Sequence, residues 1–166
     1  MESKDWIILL VPIFAEGLFF FLIQNYINTK FKQIEMRKNH QKEVLHQFHV
    51  LLQDFYTAYL GIQAIDERRS GRNVSFHEVW NPAQAKIDKL IIFHAANPCA
   101  IKKLDKDFAE CISKWQYISS VLYESRINNN GKISAKCAVI FSQEYSKLDV
   151  LIKECLEECE RQIMDA

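Results

Sequence analysis

One short stretch combines residue types and spacing suited to acid–base work on a phosphate: Arg72-Asn73-Val74-Ser75-Phe76-His77. A histidine titrates near neutral pH, so it can take a proton from a hydroxyl or return one to a leaving oxygen. An arginine presents a fixed fork of donors to charge that builds on a phosphate in a transition state. The candidate trio is Arg72, Asn73 and His77. Its plain alternative is a solvated loop arginine and a histidine near a helix start. A second chemical feature is the acid Glu16, which stands inside the apolar run Trp6 to Ile23 with Pro12 and Gly17 close by. Ionisable groups in such runs face a bundle interior or an aqueous cavity, and proline and glycine let helices bend or pack closely.

Metal chemistry finds less support. His46 and His49 lie one turn apart beside Glu43 and His40, and Cys155 and Cys159 share a helix face. The polar flank of the apolar seam explains the first set more simply and the second has no convincing third and fourth ligand, so no metal and no cofactor are expected. The five cysteines (Cys99, Cys111, Cys137, Cys155 and Cys159) are odd in number and form no CxxC pair. They read as small core hydrophobes in a reducing compartment. His94 falls on an apolar helix face and reads as a satisfied core residue.

The elements that must position these groups follow from periodicity and charge. Besides Trp6 itself, the run Trp6–Ile23 holds thirteen large apolar residues, and a helix of that length matches a hydrocarbon core of about 30 Å. The central acid costs roughly 3 kcal/mol on insertion scales. The apolar residues, at roughly −0.3 to −0.6 kcal/mol each, outweigh it. No basic region precedes the run and no small-residue cleavage site follows, so it reads as an anchor and not a signal peptide. Lys4 stands alone on one flank, whereas Lys30, Lys32, Arg37, Lys38 and Lys42 face only Glu35 on the other. That asymmetry puts the N-terminus outside and the bulk of the chain in the cytoplasm, with the basic run against anionic headgroups. A single span cannot form a pore alone, so any conducting role for Glu16 requires an oligomer.

Beyond Tyr26 the apolar pattern stays helical. Leu45, Phe48, Leu52, Phe55, Tyr59 and Ile62 recur at three- and four-residue steps, and no breaker separates them from the apolar run. Asn81-Pro82 predicts the start of a second helix carrying Ile87, Leu90, Ile91 and His94. Asn97-Pro98 repeats that signal ahead of Ile101, Leu104, Phe108, Cys111, Trp115, Ile118 and Leu122. Asn128-Asn129-Asn130-Gly131 reads as a turn, followed by a seam of Ala138, Phe141, Tyr145, Leu148, Ile152, Cys155 and Cys159. The expected fold is all-α: a single N-terminal transmembrane helix (residues 1–27) followed by a cytoplasmic helical bundle with a long juxtamembrane helix (residues 28–166). Balanced charge, 21 basic against 21 acidic residues, excludes a global field for nucleic acid, and no DNA partner is expected.

An arginine, a polar residue and a histidine in a loop of a helical bundle resemble the R-x(4–6)-H signature of the HEPN superfamily, carried here by Arg72, Asn73 and His77. Joined to an N-terminal membrane helix in a chain this short, the whole resembles the small membrane accessory proteins of type VI-B CRISPR systems. That resemblance implies a ring-shaped homo-oligomer with a HEPN-like domain around a membrane pore, which strengthens antiviral defence. Its implied partners are the lipid bilayer, further copies of itself, and the RNA-guided RNA-cutting effector or its RNA products. HEPN nucleases place two motifs face to face across a dimer. A membrane-tethered ribonuclease and a helical anchor that recruits a partner are the competing functions.

Charge asymmetry generates a topology test. Single-cysteine variants Ser3→Cys and Lys132→Cys, in a background without the native cysteines, should differ in reaction with an impermeant thiol reagent on intact cells. Labelling is expected at position 3 and not at 132. Labelling of position 132 from outside would reverse the orientation.

Overall fold

The computed structural model describes the backbone of residues 3–67, 76–128 and 135–165, and among these the side chains of 17–62, 80–122, 124 and 139–165. Every described residue except Asn97 is helical, so the chain is all-α. The helices are α1 (Ser3–Glu67), α2 (Phe76–Ala96), the short α3 (Pro98–Ile101), α4 (Asp105–Asn128) and α5 (Ala135–Asp165), with a 3₁₀ turn at Lys102–Leu104 joining α3 to α4. The chain divides into two compact units, Met1–His40 and Gln41–Ala166.

The second unit is built on the expected seams. Leu45, Phe48, Leu52, Phe55, Tyr59 and Ile62 of α1 are all buried, joined by Val44. Ile87 and Leu90 of α2 are buried, with Ile91 and His94 half-buried beside them. From Ile101 through Leu122 each predicted seam residue is buried, and in α5 the buried set runs from Tyr145 to Cys159 with Phe141 packed against it. Ala138 lies outside the described side chains. A stripe repeating every 3.5 residues on each of four helices leaves one way to hide all four, a shared central core.

Contacts fix the helix directions. Tyr59 stacks on Tyr145 and Tyr56 bonds to Asp149, while Leu45 meets Cys159, so α1 and α5 run antiparallel. Lys86 with Asp54 and His94 with Phe48 set α2 antiparallel to α1. Trp80 on Trp115 and His94 with Asp105 reverse α4 against α2. Lys114 with Glu144 and Cys111 with Cys155 reverse α5 against α4. Phe48 on Phe108 and Phe55 on Trp115 cross the centre between parallel α1 and α4. This is an up-down-up-down four-helix bundle.

Two helix starts differ from the sequence expectation. α2 begins at Phe76, so Pro82 lies inside it instead of opening it. A proline there forgoes one backbone bond, but Trp80, half a turn earlier, stacks on Trp115 at 4.3 Å with rings 7° from parallel. Burying that indole outweighs the lost bond and draws the preceding turn into the helix. At Asn97-Pro98 the proline does open α3. Asn97, however, does not cap it. Its side-chain amide donates to the carbonyl of Phe93 at 2.9 Å, closing the end of α2. The third expected helix is therefore broken at its start, where Ile101 and Leu104 both point into the core across the 3₁₀ turn.

Trp115 touches more of the core than any seam position suggests: it stacks on Trp80, meets Phe55 edge to face at 5.2 Å, and donates its indole N–H to Gln84 at 2.9 Å. Trp115→Ala is therefore expected to cost about 3–5 kcal/mol, lowering the thermal midpoint by on the order of 10 °C. Tyr117→Ala on the exposed face should stay within about 0.5 kcal/mol. Thermal unfolding followed by circular dichroism checks both, and equal midpoints for the two variants would contradict the assigned core.

Candidate functional site

Of the residues singled out for chemistry, Arg72 and Asn73 lie outside the described residues. His77 is the second residue of α2 by backbone, but its side chain lies outside the description as well. Pro12 and Glu16 lie within helical backbone of α1, and their side chains too lie outside the description. Gly17 is exposed, and a Cβ built there would meet nothing within 4 Å.

The first unit carries the most unusual described surface. Leu18, Phe19, Phe20, Phe21, Leu22 and Ile23 are all exposed, from 42% at Ile23 to 73% at Phe20. Successive residues of an α-helix are turned by about 100°, so six in a row cover the whole circumference. A helix that is apolar all round belongs in an apolar surrounding and not against one partner face. Six such side chains at roughly 2 kcal/mol each amount to on the order of 10 kcal/mol of available transfer energy. Tyr26 follows, 65% exposed, with the Lys30 ammonium 5.6 Å from its ring centroid. An aromatic ring and a lysine reaching back to it form the usual pairing at an apolar–aqueous boundary. Lys32, Arg37 and Lys38 are exposed beyond it. Among the described residues no helix is long and apolar enough to cross a membrane. The side chains of Trp6 to Glu16, the greater part of the run read as a span, lie outside that set.

In the second unit the polar groups pair within the bundle. Tyr59 donates its hydroxyl to the carbonyl of Tyr145, and Tyr145 donates to the carbonyl of Tyr59 at 2.6 Å, with the rings stacked at 4.0 Å. Tyr56 donates to one oxygen of Asp149 at 2.9 Å, and Lys153 occupies the other at 2.8 Å. His49 meets Glu160 at 3.1 Å, and His94 meets Asp105 at 2.8 Å. His46 is exposed. The Cys111 and Cys155 thiols lie 3.7 Å apart in the core, and the Cys159 thiol donates to the carbonyl of Leu45 at 3.3 Å. Among the described residues no group of three or more histidines, cysteines or acids is placed to hold a metal. No buried side-chain nitrogen or oxygen among them lacks a partner.

The tyrosine clasp had no signal in the sequence, where both residues read only as apolar seam positions. Hydroxyl partners on another helix depend on its register, which no local pattern encodes. Compared with protein-family models, curated proteins and solved structures, the chain gives no significant match.

Burial sets the titration of the core. The Cys159 thiol is pushed up to about 12, chiefly by burial. That of Cys111 is raised by its bond to Cys155 and by burial, and burial above all raises the Tyr59 phenol. Their ordinary values are 9.0 for the thiols and 10.0 for the phenol. Above those values the unfolded chain sheds protons that the folded chain retains. Stability is therefore whole below about pH 9 and falls as pH rises, by about 1.4 kcal/mol per pH unit for each group engaged. Urea unfolding should give equal midpoints at about pH 7 and pH 8 and a clearly lower one by about pH 10.5. A flat profile would contradict the burial of these groups.

Proposed function

We propose that this chain is a single-pass membrane protein whose oligomers form a pore or otherwise perturb the bilayer, with the helical bundle on the cytoplasmic side. The observation that carries the reading is the exposure of Leu18–Ile23 around the full circumference of α1. It is followed by Tyr26 and Lys30 in the arrangement of a membrane boundary. A groove in a partner protein covers one face of a helix; lipid covers all of them. The apolar character extends back to Trp6 in the sequence, which supplies the length a span needs.

Glu16 stands near the middle of that span. An acid at that depth is held by contact with another helix or with water, and both require more than one copy. A ring of such acids would draw cations and confer pH dependence on conduction. The resemblance to type VI-B CRISPR accessory proteins suggests antiviral defence as the setting, with the effector or its RNA products as the trigger acting on the bundle.

Purified chain reconstituted in lipid vesicles tests this directly. It should float with the vesicles through a carbonate wash and release a trapped small dye. Phe20→Asp combined with Phe21→Asp adds roughly 5–7 kcal/mol to insertion if both lie near mid-depth, and less toward the boundary, so that variant should be lost from the vesicle fraction. Val150→Asp on the bundle should be retained. Glu16→Gln should float and assemble normally but release dye with an altered pH dependence. Full retention of the double aspartate variant would exclude a spanning segment here.

A further inference from the structure

Between the apolar run and the bundle core, α1 carries a narrower stripe that the described chain leaves uncovered. Ile27, Phe31 and Ile34 are 43%, 68% and 52% exposed. They are spaced by four and then three residues, the rhythm of a coiled-coil seam. The positions between them are mostly polar: Asn28, Thr29, Lys30, Lys32 and Gln33. Unlike Leu18–Ile23, this stretch is therefore apolar on one side alone, which suits a helix partner and not a lipid surrounding. Counting onward in sevens, the same seam positions become Lys38 and Gln41 and then Leu45, Phe48, Leu52, Phe55, Tyr59 and Ile62. The latter six are buried by the chain's own helices. Two polar layers thus separate a seam filled from within from one that is not.

We infer that Ile27, Phe31 and Ile34 form a parallel, in-register coiled-coil contact with the same segment of further copies of this chain. The flanking charges select that occupant. With Phe31 and Ile34 as the two core positions of a heptad, Lys30 sits just before the seam and Glu35 just after it, five residues apart. In a parallel coil these two positions face one another across the interface, so each copy's Lys30 meets the next copy's Glu35. In an antiparallel coil Lys30 would face Lys30 and Glu35 would face Glu35, two like-charge contacts. Both side chains are exposed, with Lys30 resting over Tyr26. A shared membrane orientation imposes the same parallel arrangement. Two heptads upstream, the position of Lys30 becomes that of Glu16, and the core position of Phe31 becomes that of Gly17. Gly17 has open space where a side chain would be, which suits close helix approach. The seam would therefore bring the Glu16 positions of neighbouring copies to the edge of one interface.

The inference rests on the membrane-oligomer reading and deepens it by naming the contact. The test uses the full chain in lipid nanodiscs and in detergent, with particle mass read as a function of dilution. Lys30→Glu and Glu35→Lys should each require roughly threefold to tenfold more chain to hold the same oligomer fraction. Lys30→Glu combined with Glu35→Lys should return to wild-type assembly, because the pair is re-formed with its signs exchanged. Separately, Ile34→Cys should give an oxidant-dependent crosslinked dimer above the wild-type background, whereas Met36→Cys, outside the seam, should not. All these positions are exposed, so the thermal midpoint of the bundle should not change, and its constancy separates loss of assembly from misfolding. Wild-type assembly in both single variants, a double variant no better than either, or equal crosslinking at 34 and 36 would overturn the inference. Crosslinks absent at 34 while Lys30→Glu weakens vesicle binding would assign the stripe to the lipid surface and likewise overturn it. Failure of the wild-type chain to float with vesicles would remove the membrane reading alone, since the detergent measurements still decide the seam.

Discussion

The covering of apolar surface on α1 is the constraint from which the other features follow. An apolar side chain left in water forgoes about 25 cal/mol for each square ångström exposed, and α1 carries such side chains in three successive patterns. At Leu18–Ile23 they surround the helix; at Ile27, Phe31 and Ile34 they line one edge; from Val44 they form a seam that α2, α4 and α5 bury. Each pattern specifies a different covering material. A seam is satisfied by other helices; for the short edge with matched charges the proposed covering is an identical helix, and for the full circumference it is lipid.

Within the bundle the apolar core supplies cohesion, and a few directional contacts choose the register. The reciprocal tyrosine bonds between α1 and α5 can form only when Tyr59 and Tyr145 lie opposite one another. Sliding one helix by a turn would leave two buried hydroxyls without acceptors, a penalty larger than the net gain of either bond. Tyr56 with Asp149 and His49 with Glu160 repeat the same alignment along the pair. At the opposite corner, Trp115 links α1, α2 and α4 through ring contacts and one indole bond. Aromatic contacts with defined angles specify relative helix rotation better than aliphatic packing does.

The core thiols illustrate how position governs chemistry. Cys111, Cys155 and Cys159 are buried; the bond to Cys155 and then burial raise the pKa of Cys111, burial above all raises that of Cys159, and both thiols stay protonated. A protonated thiol neither attacks nor ligates, so these two behave as small apolar fillers with a weak donor, Cys159 bonding to a carbonyl of α1. His49 and His94 are each held by an acid on another helix. Residue types associated with reactivity thus serve cohesion here.

Periodicity by itself determined the helical class and nearly every buried residue, because a side chain's place on a helix face depends only on its spacing from its neighbours. All six α1 seam residues, and all seven from Ile101 to Leu122, were legible in that way. The apolar run and its basic flank were legible too, being properties of contiguous sequence. The candidate trio Arg72, Asn73 and His77 was legible only as a motif, since its meaning depends on what faces it in space. Tertiary packing alone decided where α2 begins, what Asn97 caps, and which hydroxyl meets which carbonyl. Trp80 belongs to a helix because Trp115, thirty-five residues away, offers it a ring to stack on. Asn97 turns back to Phe93 because the break before α3 leaves that carbonyl open. Local signals state what a residue prefers by itself; the partner that overrides the preference arrives from another helix, and only the folded chain brings the two together.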